Sequence, residues 1–487
     1  MKKLIILISV LSAGFLSCKK GFLDVNKTPN NPTAVPPIVI LPNTTIAIAF
    51  ANGNDLNRAA SVLVQQAAGV ANQVAAYDIF NLDGAFDNQW NGEVYGGSLN
   101  NLQVLIDQYG ATSPAYSGIA KLEKAYIISL AADLWGDVPY SQAGQGLKFE
   151  TPRFDKLEDI YQGNTSLGIQ SLFDLVKEGM ADLDKPSLLL PSSKDDIVYK
   201  GDLTKWKRMG NTLLLKFAIQ ISNRNPVLAK STIDAVITGN NYINSNTIDF
   251  EVPFGSAVGN RNPIFDFNNN LRTGDMMLSS RLYALSKSLN DTLRLSKFFT
   301  KPVNASNTFT GFDNGSTAAA PALTARSKYN TYLTGAIGGE APIRLLTFFQ
   351  VNFILAEAAL VLNTAGVANT YYQAGITASM QKVGMTAGEI TAYFASNPTV
   401  VNLTGTMAQM RNQIMTQKYI AWIGNGIEAY NDYRRTGLPV LALPLNAQGD
   451  NPNVIPTRLP YTPAELARNP NAPNPRPKTD VKLWWAL

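Results

Sequence analysis

Apolar residues recur every three or four positions through most of this chain, a spacing that predicts a molecule built mainly from helices. The clearest stripes are Ile119, Leu122, Tyr126 and Leu130 within 115–134, and Trp206, Leu213, Phe217 and Ile221 within 203–222. The run RLLTFFQVNFILAEAALVL at 344–362 is the most apolar and predicts a central helix. Further helices are expected over 56–76, 99–108, 157–183 (in two pieces), 227–238, 276–289, 368–382 and 406–435, with a break at Gly424–Gly426. Asp202 is placed to cap the helix that follows it, and Gly136 with Pro139 should end the one before. Strand candidates are short, around 196–200 and 247–252. The stretches 78–97, 250–275 and 304–320 are rich in Gly, Asn and aromatics and read as loops. Ten prolines from Pro439 onward exclude a regular tail. The expected fold is mostly α, with paired helices stacked in a tetratricopeptide-like way and long irregular loops, although no 34-residue repeat is legible.

The first eighteen residues depart from this pattern. Lys2 and Lys3 precede an apolar run, Leu4–Leu16, followed by Ser17 and Cys18. The run is too short to span a bilayer and has the layout of a secretory signal. Cys18 is the only cysteine and stands where a lipoprotein cleavage site would leave it, so it is the expected lipidation site. Polar, Pro-rich sequence follows. The expected organisation is a signal peptide over 1–17, a lipidated Cys and tether over 18–45, and one helical domain over 46–487.

Composition narrows the chemistry. Of 487 residues 45% are apolar, enough for a sizeable core, and only 16% are charged, leaving a surface rich in amides and hydroxyls. Such a surface suits uncharged polar ligands such as sugars. Without residues 1–17 the formal charge falls from +5 to +3, and no basic cluster with interleaved aromatics is present, which argues against nucleic acid. There is no histidine at all. That excludes Ser-His-Asp and Cys-His catalysis and His-bearing zinc sites. Carboxylate chemistry or oxygen-ligated calcium or magnesium stays possible, but neither a calcium-loop nor a phosphate-loop spacing occurs, and no metal or cofactor is expected.

Several segments stand out, in order along nearly the whole chain. They are Cys18-Lys19-Lys20 leading to FLDVNKTPNNPT, DLWGDVPYSQA at 133–143, and IVYKGDLTKWKRMGNTLLLKFAIQIS at 197–222. PIRLLTFFQVNFILAEAAL at 342–360, IEAYNDYRRTGLPVL at 427–441, RLPYTPAEL at 458–466 and KLWW at 482–485 complete the set. Together these segments resemble the SusD/RagB family of nutrient-binding outer-membrane lipoproteins, which implies that the 46–487 domain binds ligand in a non-enzymatic protein, lipid-anchored in the outer membrane and facing the cell exterior. It would capture a glycan or peptide and act as a lid over a SusC-like TonB-dependent transporter. The contrasting possibility is an α-helical glycoside hydrolase using two carboxylates, for which Asp83 and Asp87 are the nearest candidates.

Most residues of these segments read as structural. Arg434 and Arg435 fall in a last helical turn, with Glu428 or Asp432 as expected partners, and Glu357 in an apolar helix needs a paired donor if buried. Trp206, Phe217, Phe349 and Phe353 are expected in the core. Ligand candidates are instead aromatics and amides on irregular stretches, because a sugar wants a flat apolar platform beside hydrogen-bonding groups. Two stretches supply both: Asp83, Asn88, Trp90 and Tyr95, and then Asn262, Phe265, Asn268 and Arg272. Trp90→Ala is expected to weaken ligand binding with little loss of stability.

Overall fold

The structure, a computed structural model, describes residues 35–303 and 307–486. Its frame is a succession of packed helix pairs. The long Pro114–Trp135 helix lies between Asn100–Tyr109 and Leu172–Asp182. Leu172–Asp182 packs in turn on Leu203–Ile221, which contacts both Pro226–Gly239 and Phe348–Val361. Phe348–Val361 then packs against Ala368–Lys382 and Met407–Ala421. This is the stacked, mostly α architecture that the periodicity predicts. One pair meets at bare backbone: a Cβ on Gly118 would stand 2.7 Å from the Gly179 carbonyl oxygen, so glycine at that crossing is a packing requirement.

Local signals explain most element ends. The Asp202 carboxylate accepts from the amides of Thr204 and Lys205, as a helix cap should. Thr347 caps Phe348–Val361, and Thr406 with Gln409 forms a capping box at Met407–Ala421. The break expected near Gly424 separates Met407–Ala421 from Gly426–Thr436. Gly426 sits so close to the Asp55–Leu63 helix that a Cβ there would lie 2.4 Å from the Ser61 nitrogen.

Several boundaries differ from the sequence reading. A helix runs from Pro37 to Gly53 with Pro42 inside it, so part of the span expected as tether belongs to the folded body. Its prolines at the start need no amide partners, since first-turn N–H groups have none to make. Residues 56–76 divide into the end of Asp55–Leu63, a strand at Ala67–Gly69 and the start of Asn72–Asp78. Residues 276–289 begin as the strand Met276–Leu278, antiparallel to Ala67–Gly69, before the helix Ser280–Ser288. The 247–252 candidate is present as Phe250–Val252, paired with Ile343–Leu346, whereas 196–200 is a chain of turns. An unexpected helix covers Ala387–Ser396, and the proline-rich tail contains one short helix, Pro463–Arg468. Among the described residues no helix is long and apolar enough to cross a membrane. Cys18 and the leader lie outside the described residues.

The motif residues converge on two buried polar knots. In the first, Asp133 of the Pro114–Trp135 helix accepts from the Tyr161 hydroxyl at 2.9 Å and the Trp485 indole at 3.0 Å. Trp135 donates to the Pro460 carbonyl at 3.0 Å, while Arg434 and Arg458 reach the Asp133 and Trp135 carbonyls. Burial lifts Asp133 to about 6, against the opposing pull of Lys216 and Arg434. In the second knot Glu357 receives two bonds of 2.7 Å from Arg435 and further bonds from Arg411. Burial alone would push Glu357 up, but Arg435, Arg411 and Lys418 outweigh it and hold the carboxyl at about 2. Arg435 also takes Asp432, as expected, whereas Glu428 pairs with Lys216.

Candidate binding clefts

The first candidate stretch is helical where it was expected to be loop. From Gln89 to Leu99 it winds as a π-helix, continuous with Asn100–Tyr109 and packed on Pro37–Gly53. One flank of this turn borders a polar cleft of about 340 Å³, walled by Asn54, Asp55, Arg58, Gln73 and residues 84–89. Arg58 organises it. Its guanidinium donates to Asn54 at 2.8 Å and Asp55 at 3.0 Å and lies flat against Phe267, 3.9 Å from the ring centroid. Phe267 belongs to the second candidate stretch, so this contact joins the two.

The groups behind Arg58 are fixed by hydrogen bonds. Tyr77 donates to Asp55 at 2.8 Å and stacks on Phe86 with centroids 5.4 Å apart. Asn54 donates to Glu93 at 2.7 Å. Burial raises Glu93 to about 7, partly countered by Asn54 and Arg58. The wall therefore presents donors and acceptors of both kinds, with a planar cation among them. Chemically that arrangement can hydrogen-bond the hydroxyls of a polyhydroxylated ligand.

The eight sequence candidates do not form a single site. Asn88 is exposed and lines the polar cleft. Asp83 is exposed nearby, with its carboxylate 2.7 Å from Arg476. Trp90 is 2% exposed, wedged edge-on against Trp135 at 5.0 Å and beside Tyr95 at 4.8 Å, with Phe154 and Tyr461 completing the cluster. Its indole donates to Glu465 at 3.3 Å. It is a packing residue by position, unlike the open platform expected of it. Trp90 and half-buried Tyr95 form part of the wall of a second hollow on the other flank of the turn. Tyr95 donates to the Pro139 carbonyl at 3.0 Å.

In the second stretch, Asn262 is wholly buried and its amide holds the Leu333 and Ala341 carbonyls at 2.9 and 2.8 Å, a structural role that leaves no access for a ligand. Phe265 is half-buried beneath Arg261 and against Gly338. Asn268 donates to the Ile264 carbonyl at 2.9 Å and borders a separate small hollow beside Phe299 and Tyr329. Arg272 is exposed. Sequence reasoning passed over Arg58, Gln73 and Phe267. Phe267 was within the chosen stretch, but nothing local marks Arg58, whose importance comes from a contact 209 positions away. Of the two carboxylates weighed for hydrolysis, Asp87 accepts the Ala464 amide at 3.2 Å and Asp83 faces Arg476.

Comparison with known proteins agrees with this architecture. A family model described as starch-binding, associating with the outer membrane, matches residues 29–462. A solved structure of a chitin-binding protein is 25% identical over 93% of this chain and 100% of its own, with a TM-score of 0.76. A SusD homologue from Bacteroides uniformis is 22% identical over 92% of this chain and 99% of that one, with a TM-score of 0.75. A SusD/RagB family protein from Bacteroides thetaiotaomicron is 23% identical over 93% and 99%, also with a TM-score of 0.75. No curated protein matches the chain. With a match over most of its length and the same helical architecture throughout, the chain belongs to the SusD-like family of starch-binding, outer-membrane-associated proteins.

Proposed function

We propose that this protein captures a glycan in the polar cleft beside Arg58 and delivers it, as a lid, to a SusC-like TonB-dependent transporter. In this reading it is a surface lipoprotein held in the outer membrane through Cys18, and it binds its ligand without cleaving it. The observation that carries the proposal is the polar cleft of about 340 Å³ itself, where Arg58, held over the Phe267 ring, stands beside the exposed amides of Gln73 and Asn88. Family membership and the chitin-binding relative favour a glycan over a peptide.

Calorimetric titration tests this directly, using starch-derived and N-acetylglucosamine oligosaccharides beside a set of peptides. Saturable binding of an oligosaccharide that is recovered intact is the expected result. A Gln73→Ala/Asn88→Ala double variant, altered at the cleft wall, should bind about tenfold more weakly, or about 1.4 kcal/mol, with an unchanged melting temperature. Peptide-only binding would overturn the ligand class, and cleaved oligosaccharide would overturn the non-catalytic reading.

A further inference from the structure

The hollow on the other flank of the π-helical turn is about 280 Å³ in volume, and its composition differs from that of a packing defect. Asn91, Asn100, Glu150 and Arg468 line it with exposed side chains. Their side-chain polar groups make no hydrogen bond or ion pair within the described residues, in contrast to the tied Arg58, Asp55 and Asn54 of the first cleft. Tyr95 and Pro139 supply an apolar wall.

The two hollows are neighbours through the turn itself. Asn88 lines the first and Asn91 the second, and both are exposed. Gly92 beside them is exposed too, and Gln89 of the first hollow and Trp90 of the second are successive residues of the turn. An exposed amide ridge thus connects the hollows over a single helical turn, whose full width with side chains is about 10–12 Å. A linear oligosaccharide of several residues is longer than that.

From this geometry we infer that the Asn91–Arg468 hollow is a second binding cleft, occupied by the continuation of the same glycan chain after it crosses the ridge. The ligand class is an extended oligosaccharide, its hydroxyls meeting Asn91, Asn100, Glu150 and Arg468. The inference rests on the glycan reading of the first cleft and adds a dependence on chain length.

The test compares N-acetylglucosamine dimer and hexamer on the intact protein and on an Asn91→Ala/Arg468→Ala variant. Both substitutions are at exposed positions, and unchanged circular dichroism would confirm folding. Expected is a hexamer affinity at least tenfold above that of the dimer in the parent, with the variant losing that advantage while its dimer affinity is kept. Equal affinities for the two lengths in the parent, or a hexamer affinity that the double substitution leaves unmoved, would overturn the second cleft and leave the first standing. Absence of binding at both lengths would overturn the glycan reading, and the second cleft with it.

Discussion

Truncating Trp90 should cost stability. The indole is 2% exposed and has aromatic neighbours on several sides, at centroid distances of 4.8 Å (Tyr95), 5.0 Å (Trp135), 6.2 Å (Phe154) and 6.3 Å (Tyr461). Replacing a buried aromatic by alanine typically costs about 3–5 kcal/mol, the transfer and cavity contributions together. The 3.3 Å bond to Glu465 adds little, because that carboxylate also accepts from Asn469 and borders the open hollow. For a folded body of roughly 450 residues the unfolding entropy is about 0.9 kcal/mol per degree, so Trp90→Ala should lower the melting temperature by about 3–5 °C. Trp90→Phe, which keeps most of the ring contacts, should lower it by only about 1–2 °C. Scanning calorimetry of the three proteins supplies the numbers, with oligosaccharide titration alongside. A melting temperature within 1 °C of the parent, together with a tenfold loss of glycan affinity, would refute the packing argument and return Trp90 to the binding surface.

Two further outcomes follow from buried contacts. Glu123 is wholly buried against the hydroxyls of Thr45 at 2.6 Å and Thr44 at 3.1 Å, and burial raises it to about 8. The folded chain therefore keeps a proton that an unfolded glutamate releases near 4.5, and stability attributable to this group falls by about 1.4 kcal/mol per pH unit between those values. Glu123→Gln should make urea unfolding midpoints less sensitive to pH over that window, and an unchanged slope would mean that Glu123 ionises normally. Gly426→Ala drives a methyl onto the Ser61 backbone, so a loss of about 1–3 kcal/mol is expected in the same assay, and a neutral result would mean that the two helices separate freely.

Local chemistry was legible in the sequence to the extent that it acts over a few residues. Helix stripes, the Asp202 cap and the break before Gly426 need only neighbours three or four positions away, and each is where the pattern places it. Glu357 was legible as a buried acid in need of a donor, yet its partners, 54 and 78 positions on, were not. The same limit applies to the clefts. Trp90 reads as an exposed platform because its segment is rich in Gly and Asn, and those residues in fact belong to a π-helical turn whose indole points into an aromatic cluster. Short strands such as Met276–Leu278 were invisible for the complementary reason: three apolar residues carry no period, and their pairing partner lies some two hundred residues earlier.

The bond between Asp133 and the Trp485 indole spans 352 positions, and that separation is also a delay. A ribosome adding roughly 5–20 residues per second takes about 20–70 s to travel from one to the other. Throughout that interval Asp133 lacks its Trp485 donor. Closure of this knot is therefore a late event in the life of each molecule. A chain interrupted before Trp485 would carry an Asp133 carboxylate without its indole donor, its socket open to water.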